Sequence, residues 1–309
     1  MFDYISISTN DINTKSRIAS FCKENNINIE IIISTDGEIL YPGTQIAKFN
    51  EIKIEFKNNG YIKLKFSVHK LYNNLLNITN NKGEPMNHDT FCITKMRYII
   101  KWLEDNFQLN RTNTKIHHLE FGFNLTDLRI DTDTIINKFI AYRGRQFNKI
   151  NKIGLGNGIE VSLYNYYKLK IYDKALQYGL PYPNLRIEFK ALCIKPIKYN
   201  IFEGDTKLSR LLELNVWYKC KNYLLEQLTF CIISDTFNNK AVKAKTVTKL
   251  LYWNNPKFWE TCKPDIRSKS KKEFENLINL EGTLMLKQKM NSNIENEFKN
   301  MIKNGNEFQ

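Results

Sequence analysis

Residues 167–192 read YKLKIYDKALQYGLPYPNLRIEFKAL, and the fold turns on this stretch. Two alternating runs, KLKIYDK and LRIEFKAL, flank a segment broken by Gly179, Pro181 and Pro183. Alternation at period two with a Gly/Pro-containing connection predicts a pair of neighbouring strands. On the first, Lys168, Lys170, Tyr172 and Lys174 share one face, with Leu169, Ile171 and Asp173 opposite. On the second, Arg186, Glu188 and Lys190 lie opposite Leu185, Ile187 and Phe189. A strand that needed only one dry face could fill the other with Ser or Thr at no desolvation cost. Here that face gathers ionisable groups and a phenol.

Working outward, KIHHLEFGFNL (115–125) predicts a further strand. Strict alternation places His118, Glu120, Gly122 and Asn124 on one face, and His117, Leu119, Phe121 and Phe123 on the core face. If it neighbours the pair above, the polar faces merge, and His118, Glu120, Glu188, Tyr172, Lys174 and Arg186 meet on one surface. The first third is β-rich. EIIISTDGEILYP (30–42) predicts a hairpin around Asp36-Gly37, and EIKIEFKNNGYIKLKFSVHK (51–70) predicts another around Asn59-Gly60. In the latter, Ile62, Leu64, Phe66 and Val68 alternate on the return strand, and His69 ends it.

Residues 90–109 carry Ile93, Met96, Ile100, Leu103 and Phe107 at helical spacing, with Asp89 or Thr90 as the cap. DTDTIINKFIAY (131–142) predicts a short capped helix, and a basic loop through GLGNG (154–158), which matches no phosphate-binding glycine motif, predicts a turn. From about 200 onward three helical segments follow, and the last twenty or so residues predict a frayed polar end. The fold class is therefore α+β: an antiparallel sheet with flanking helices over 1–198, then a helical C-terminal region over 199–309.

Composition limits the function. The 309 residues are 42% hydrophobic and 13% aromatic, which suits a folded protein with a core. No run approaches the roughly 20 apolar residues of a membrane span, and the N-terminus lacks a signal-peptide pattern. The expectation is a cytoplasmic protein with no membrane partner. The six cysteines show no metal-finger spacing and predict reduced thiols. The net charge is +14, and residues 142–198 hold eleven Lys or Arg against three acids. Such a balance favours polyanions, nucleic acid first. An AT-rich genome also yields Lys- and Asn-rich chains, so charge alone leaves a basic protein without such a partner open.

Several side chains then acquire roles. His118 and Glu120 sit two residues apart, roughly 6.5–7 Å along a strand, a spacing that suits one divalent ion, Mg²⁺, Mn²⁺ or Zn²⁺; two exposed polar residues are the alternative. Lys174 beside Tyr172 would favour phenolate, a metal on the carboxylates would polarise a phosphodiester, and lysines along the strand would hold a DNA backbone. Lys168, Lys170, Arg186, Lys190, Arg143, Arg145 and Lys70 are the candidate DNA contacts. Tyr72 is a further candidate, while His88 reads as solvated. Trp253 and Trp259 read as helix-end packing.

HLEFGFNL, the YDK of LKIYDK and the following LRIEFK resemble the replication initiators of rolling-circle plasmids (Rep_trans type) and filamentous phages (gene II/X type). SVHKLYN and YWNNPKFW add weaker support, and the resemblance spans about residues 60–280. It implies a relaxase-like (HUH) nicking domain that joins its tyrosine to a 5′ phosphate of single-stranded or cruciform origin DNA, frees a 3′ hydroxyl, and later closes the circle. The nucleophile would fall on Tyr172 with Lys174 beside it, and the Mg²⁺- or Mn²⁺-binding acids on Glu120 and Glu188. His118-Leu119-Glu120 stands where the wider superfamily has a His-hydrophobe-His triplet, so one ligand differs. Gln177 stands where some members carry an acid. The helical C-terminal region would serve origin recognition or contact with a host helicase, and a homodimer is compatible with the resemblance.

Three alternatives stay open: a non-catalytic DNA-binding protein, a conjugative relaxase of the same chemistry, and a different nucleophile among Tyr164, Tyr166, Tyr167 and Tyr178. Period two makes Tyr164 and Tyr166 face-mates of Tyr172.

Overall fold

In FDYISIST, Ile5 and Ile7 alternate with Ser6 and Ser8, and the segment forms β1 (Phe2–Thr9), an inner strand of the sheet. The computed structural model describes residues 1–31, 43–80, 83–150, 157–237 and 244–306. After β1 come α1 (Ile12–Glu24), β2 (Glu30–Ile31), β3 (Thr44–Phe49), β4 (Ile52–Lys57), β5 (Ile62–Ser67), α2 (Val68–Leu75) and α3 (Ile93–Phe107). The middle holds β6 (Lys115–Leu125), α4 (Thr132–Asn137), β7 (Phe139–Tyr142), β8 (Arg145–Gln146), β9 (Asn148–Lys149), β10 (Gly158–Leu163), β11 (Tyr167–Asp173), α5 (Lys174–Tyr178) and β12 (Leu185–Ala191). The chain ends with α6 (Leu214–Thr229), β13 (Cys231–Ile233), α7 (Ala244–Trp253), α8 (Pro256–Thr261), α9 (Pro264–Glu281) and α10 (Leu286–Asn306).

Ten strands form one antiparallel sheet in the order β2-β3-β4-β5-β1-β6-β12-β11-β10-β9, and β13-β7-β8 form a small second sheet. The α+β class read from the sequence is the observed one. Ile5, Ile7, Ile54, Leu64, Leu119, Phe121, Phe123, Ile171, Ile187 and Phe189 are buried on one face of the large sheet. That face packs on the helices, with Met96, Ile99, Ile100 and Leu103 of α3 in the same core. Removing this much apolar surface from water is the main stabilising term. Phe21, Phe49, Trp102 and Phe107 close one corner, Phe49 and Trp102 stacking at 5.8 Å between centroids.

Several expectations are corrected. The segment 131–142 is helical only to Asn137; Phe139–Tyr142 instead pair with β13 as a strand. Helix α3 begins after Cys92 with no side-chain cap, while Asp89 is drawn to His69 and Lys95. Val68 and His69 do not extend β5 but open α2, capped by Ser67. The polar tail is not frayed through residue 303: Met290, Ile294, Phe298 and Met301 of α10 are buried against the sheet and α6. Of the hairpin expected over 30–42, residues 32–42 lie outside the described residues, as do residues 154–156 of GLGNG. The core runs unbroken across residue 198, so that division marks a change of secondary structure and not a gap in packing.

His117 is corrected as well. Between Ser6/His118 and Ile7/Ile116 the β1–β6 register shifts by one residue. This bulge leaves His117 without a partner and turns it out of the core, where it lies exposed with Nε2 2.6 Å from Ser8 Oγ.

Candidate functional site

The merged polar face is real. In the ladder β6-β12-β11, Gly122, Glu188 and Lys170 stand in one row, Asn124, Arg186 and Tyr172 in the next, and Glu120, Lys190 and Lys168 in the one before. Gly122 permits this close row, because a Cβ there would collide with the Ile187 carbonyl and the Glu188 Cα.

A line of polar contacts runs through it. His118 Nε2 lies 3.1 Å from Glu120 Oε1, which also pairs with Lys190. Lys170 Nζ lies 3.7 Å from Glu120 Oε2 and donates to Glu188 Oε1 at 3.0 Å. Tyr172 donates to Glu188 Oε2 at 3.3 Å, and Lys174 Nζ donates to the Tyr172 oxygen at 3.4 Å. Lys174 opens α5 and not a strand position, yet its side chain folds back to the phenol.

The far end of this line is dry. Lys174, Glu188, Arg186 and Tyr172 are 1%, 1%, 4% and 6% exposed. Asn87, His88 and Asp89 cross this end of the sheet, held by Asn87 on Asp3, Asn124 Nδ2 on the His88 carbonyl, and the Tyr178 hydroxyl on Asn87 Oδ1 at 2.6 Å. Arg186, expected to touch DNA, is buried against Asp3, Glu188 and Asn124 and holds the strands together instead. Burial would push Asp3 up, but Lys174 and Arg186 hold its carboxyl far below the usual range.

Burial decides the remaining protonation states. It lowers Lys174 to about 8, against the pull of Asp3. It raises Tyr172 well above the ordinary phenol value, and Glu188 adds to the rise, so the expectation that Lys174 leaves a phenolate at rest is reversed. It raises Glu188, opposed by Lys170. Burial also pushes Glu120 upward, but the bond to His118 and the charges of Lys170 and Lys190 outweigh it and hold the group at about 2.

The expected metal ligands do not form a set. His118 and Glu120 meet, but the Lys170 ammonium stands between Glu120 and Glu188, where a divalent ion would have to sit. Among the described residues no three His, Cys, Asp or Glu side chains converge on one point. The donors as arranged do not fit a divalent cation, their charge being met by ammonium groups already.

The other candidates are dispersed. Lys168 pairs with Glu160 at 2.5 Å. Arg143 stacks on Phe230 and Arg145 on Tyr164, both exposed near the second sheet. Tyr164 and Tyr166 occupy the β10–β11 turn and are not face-mates of Tyr172. Tyr167 is bonded to Tyr142 at 3.3 Å. His69 is buried in α2 with Nε2 2.7 Å from Asp89, and burial lowers it to about 4. Lys70 and Tyr178 line an open cleft of about 940 Å³ with His88, which is half-buried and packed near Tyr178. Trp253 and Trp259 are buried as expected. Sequence reasoning missed Asp3, whose signal is an acid set among the alternating residues of β1, and Asn87, which carried none.

No protein-family model matches the chain, and no curated protein matches it. Among solved structures, the chain is similar to a rolling circle replication initiator protein from Geobacillus stearothermophilus, with a TM-score of 0.44 and 10% identity over 88% of this chain and 96% of that chain.

Proposed function

We propose that the protein binds DNA on the polar face of its large sheet and cuts and rejoins one strand through Tyr172, as an initiator of rolling-circle replication. One observation carries this reading: a buried phenol that donates to a carboxylate and accepts from a lysine, at the end of a lysine-lined strand face. Plain phosphate binding gains nothing from burying Glu188 and Lys174, which costs solvation free energy. A phosphoryl transfer uses both. The phenol oxygen bonds to phosphorus as its proton passes to Glu188, and the Lys174 ammonium steadies the negative charge that develops on the oxygen. The phosphorus–oxygen bond to the 3′ side breaks, and the leaving oxygen takes a proton from water to become a free 3′ hydroxyl. Reversal with a second 3′ hydroxyl rejoins the strand. No step is routed through a metal ion.

The cover of Asn87–Asp89 and Tyr178 must lift for a strand to reach Tyr172. That burial is the specific observation favouring a second reading, a DNA-binding protein without strand transfer. Incubation with single-stranded oligonucleotides tiling the encoding replicon, followed by a denaturing gel, separates the two. A covalent adduct that is abolished by Tyr172→Phe is the expected outcome. An adduct lost only in Tyr178→Phe moves the nucleophile to the edge of the cleft; salt-sensitive binding with no adduct leaves the binder.

A further inference from the structure

Apart from Lys174, which donates to the phenol, the lysines on the strands around Tyr172 are already spent on acids. Lys168, Lys170 and Lys190 face Glu160, Glu188 and Glu120, three cations against three carboxylates. The same sheet face carries a different balance across β4, β5, β1 and the start of β6. There Lys53, Lys57 and Lys65 share one carboxylate, Glu55. Lys63, Lys115 and the exposed Lys195 have no acid within ion-pair distance among the described residues.

This end is also concave. A hollow of about 710 Å³ holds Lys63, Lys115, His117 and Tyr61, and a second of about 550 Å³ holds Lys63, His117, His118, Tyr4 and Lys195. Sharing Lys63 and His117, they form one groove. Its inner end is His118, where the line of contacts to Glu120, Lys170, Glu188 and Tyr172 begins.

We propose that this groove is the main phosphate-binding track of the protein and that its occupant is single-stranded DNA. Unpaired ammonium groups along a groove release counterions when they meet phosphates, whereas lysines already paired to acids must first give those up. Tyr61, 44% exposed, stands among these cations and offers a ring on which an unpaired base stacks, which a duplex does not present, whereas the Tyr4 ring is already engaged by His118 and Lys190. The groove extends the proposed function by placing the bound strand, but its binding role stands whether or not Tyr172 reacts.

The test uses full-length protein carrying Tyr172→Phe, so that binding is read without covalent chemistry. A dye-labelled single-stranded oligonucleotide is titrated by fluorescence anisotropy across a salt series, with a duplex of the same sequence as competitor. Replacing Lys63, Lys115 and Lys195 by Gln is expected to flatten the slope of log affinity against log salt by about 2, at about 0.7 per lost contact on a single strand. It is also expected to weaken binding at least about tenfold at low salt. Lys101→Gln, on the helical side in α3, leaves both unchanged. Circular dichroism and thermal melting establish that the triple variant is folded. An unchanged slope in the folded triple variant overturns the track, and equal competition by duplex overturns the single-stranded occupant. An adduct from the otherwise wild-type protein together with an unchanged slope would sink this inference alone. A flattened slope with no adduct would sink the strand-transfer reading alone.

Discussion

Lys174 is the residue whose chemistry depends most on its surroundings. In sequence it is one lysine after a Tyr-Asp pair; folded, it is a buried amine lowered from 10.5 to about 8. The folded state therefore binds fewer protons than the unfolded state between about pH 8 and 10.5, and stability rises with pH across that window. The penalty of burying the ammonium is fully present below pH 8 and relieved above it, on the order of 3 kcal/mol in all. Chemical denaturation at pH 7 and pH 10 checks this: relative to Lys174→Met, wild type gains stability at the higher pH. The neighbourhood of Tyr172, Glu188 and Lys170 was legible from period-two spacing. Its dryness was not, because the cover comes from Asn87–Asp89, a loop with no pattern of its own.

At the scale of elements, the ladder β6-β12-β11 was readable because each strand alternates cleanly, and the shared face follows from the pleat alone. The bulge in β6 was not readable, since IHH gives no local sign of which residue will be left unpaired. Short strands such as β7 were hidden by a helical-looking pattern and appear only through pairing with β13, about ninety positions on. Within the ladder, Lys170 joins two carboxylates on adjoining strands. Lys170→Met is expected to destabilise by about 3 kcal/mol, because it leaves buried negative charge under-compensated. Adding Glu188→Gln recovers part of the loss, and a double-mutant cycle by urea denaturation shows a coupling above about 1 kcal/mol. Because ammonium groups already meet the charge of these acids, EDTA or Mn²⁺ is expected to leave the wild-type Tm unmoved in a thermal-shift assay.

Across the whole molecule, the change from strands to helices near residue 200 was visible, but its meaning was not. Trp217 packs edge-on against Phe2, and Phe298 packs against Phe123, so the late helices complete the core begun by the first strand. The spacing of Met290, Ile294, Phe298 and Met301 carries this signal within an otherwise polar tail. A chain cut after residue 198 exposes the apolar face of the sheet that α6 and α10 cover. It is expected to be aggregated or proteolytically labile, and not a stable nicking domain, which limited proteolysis and near-ultraviolet circular dichroism would reveal.

The unpaired His117 also gives a central strand some slack. Deleting one residue from an inner strand ordinarily exchanges every side chain beyond the cut between core and solvent. At His117 the loss would instead let Ile116 and His118 sit opposite consecutive β1 residues, Ile7 and Ser6, and the ladder would close into regular pairing. Deletion of His117 is thus expected to leave a folded protein and deletion of Leu119 to unfold it, which thermal melting of the two variants checks.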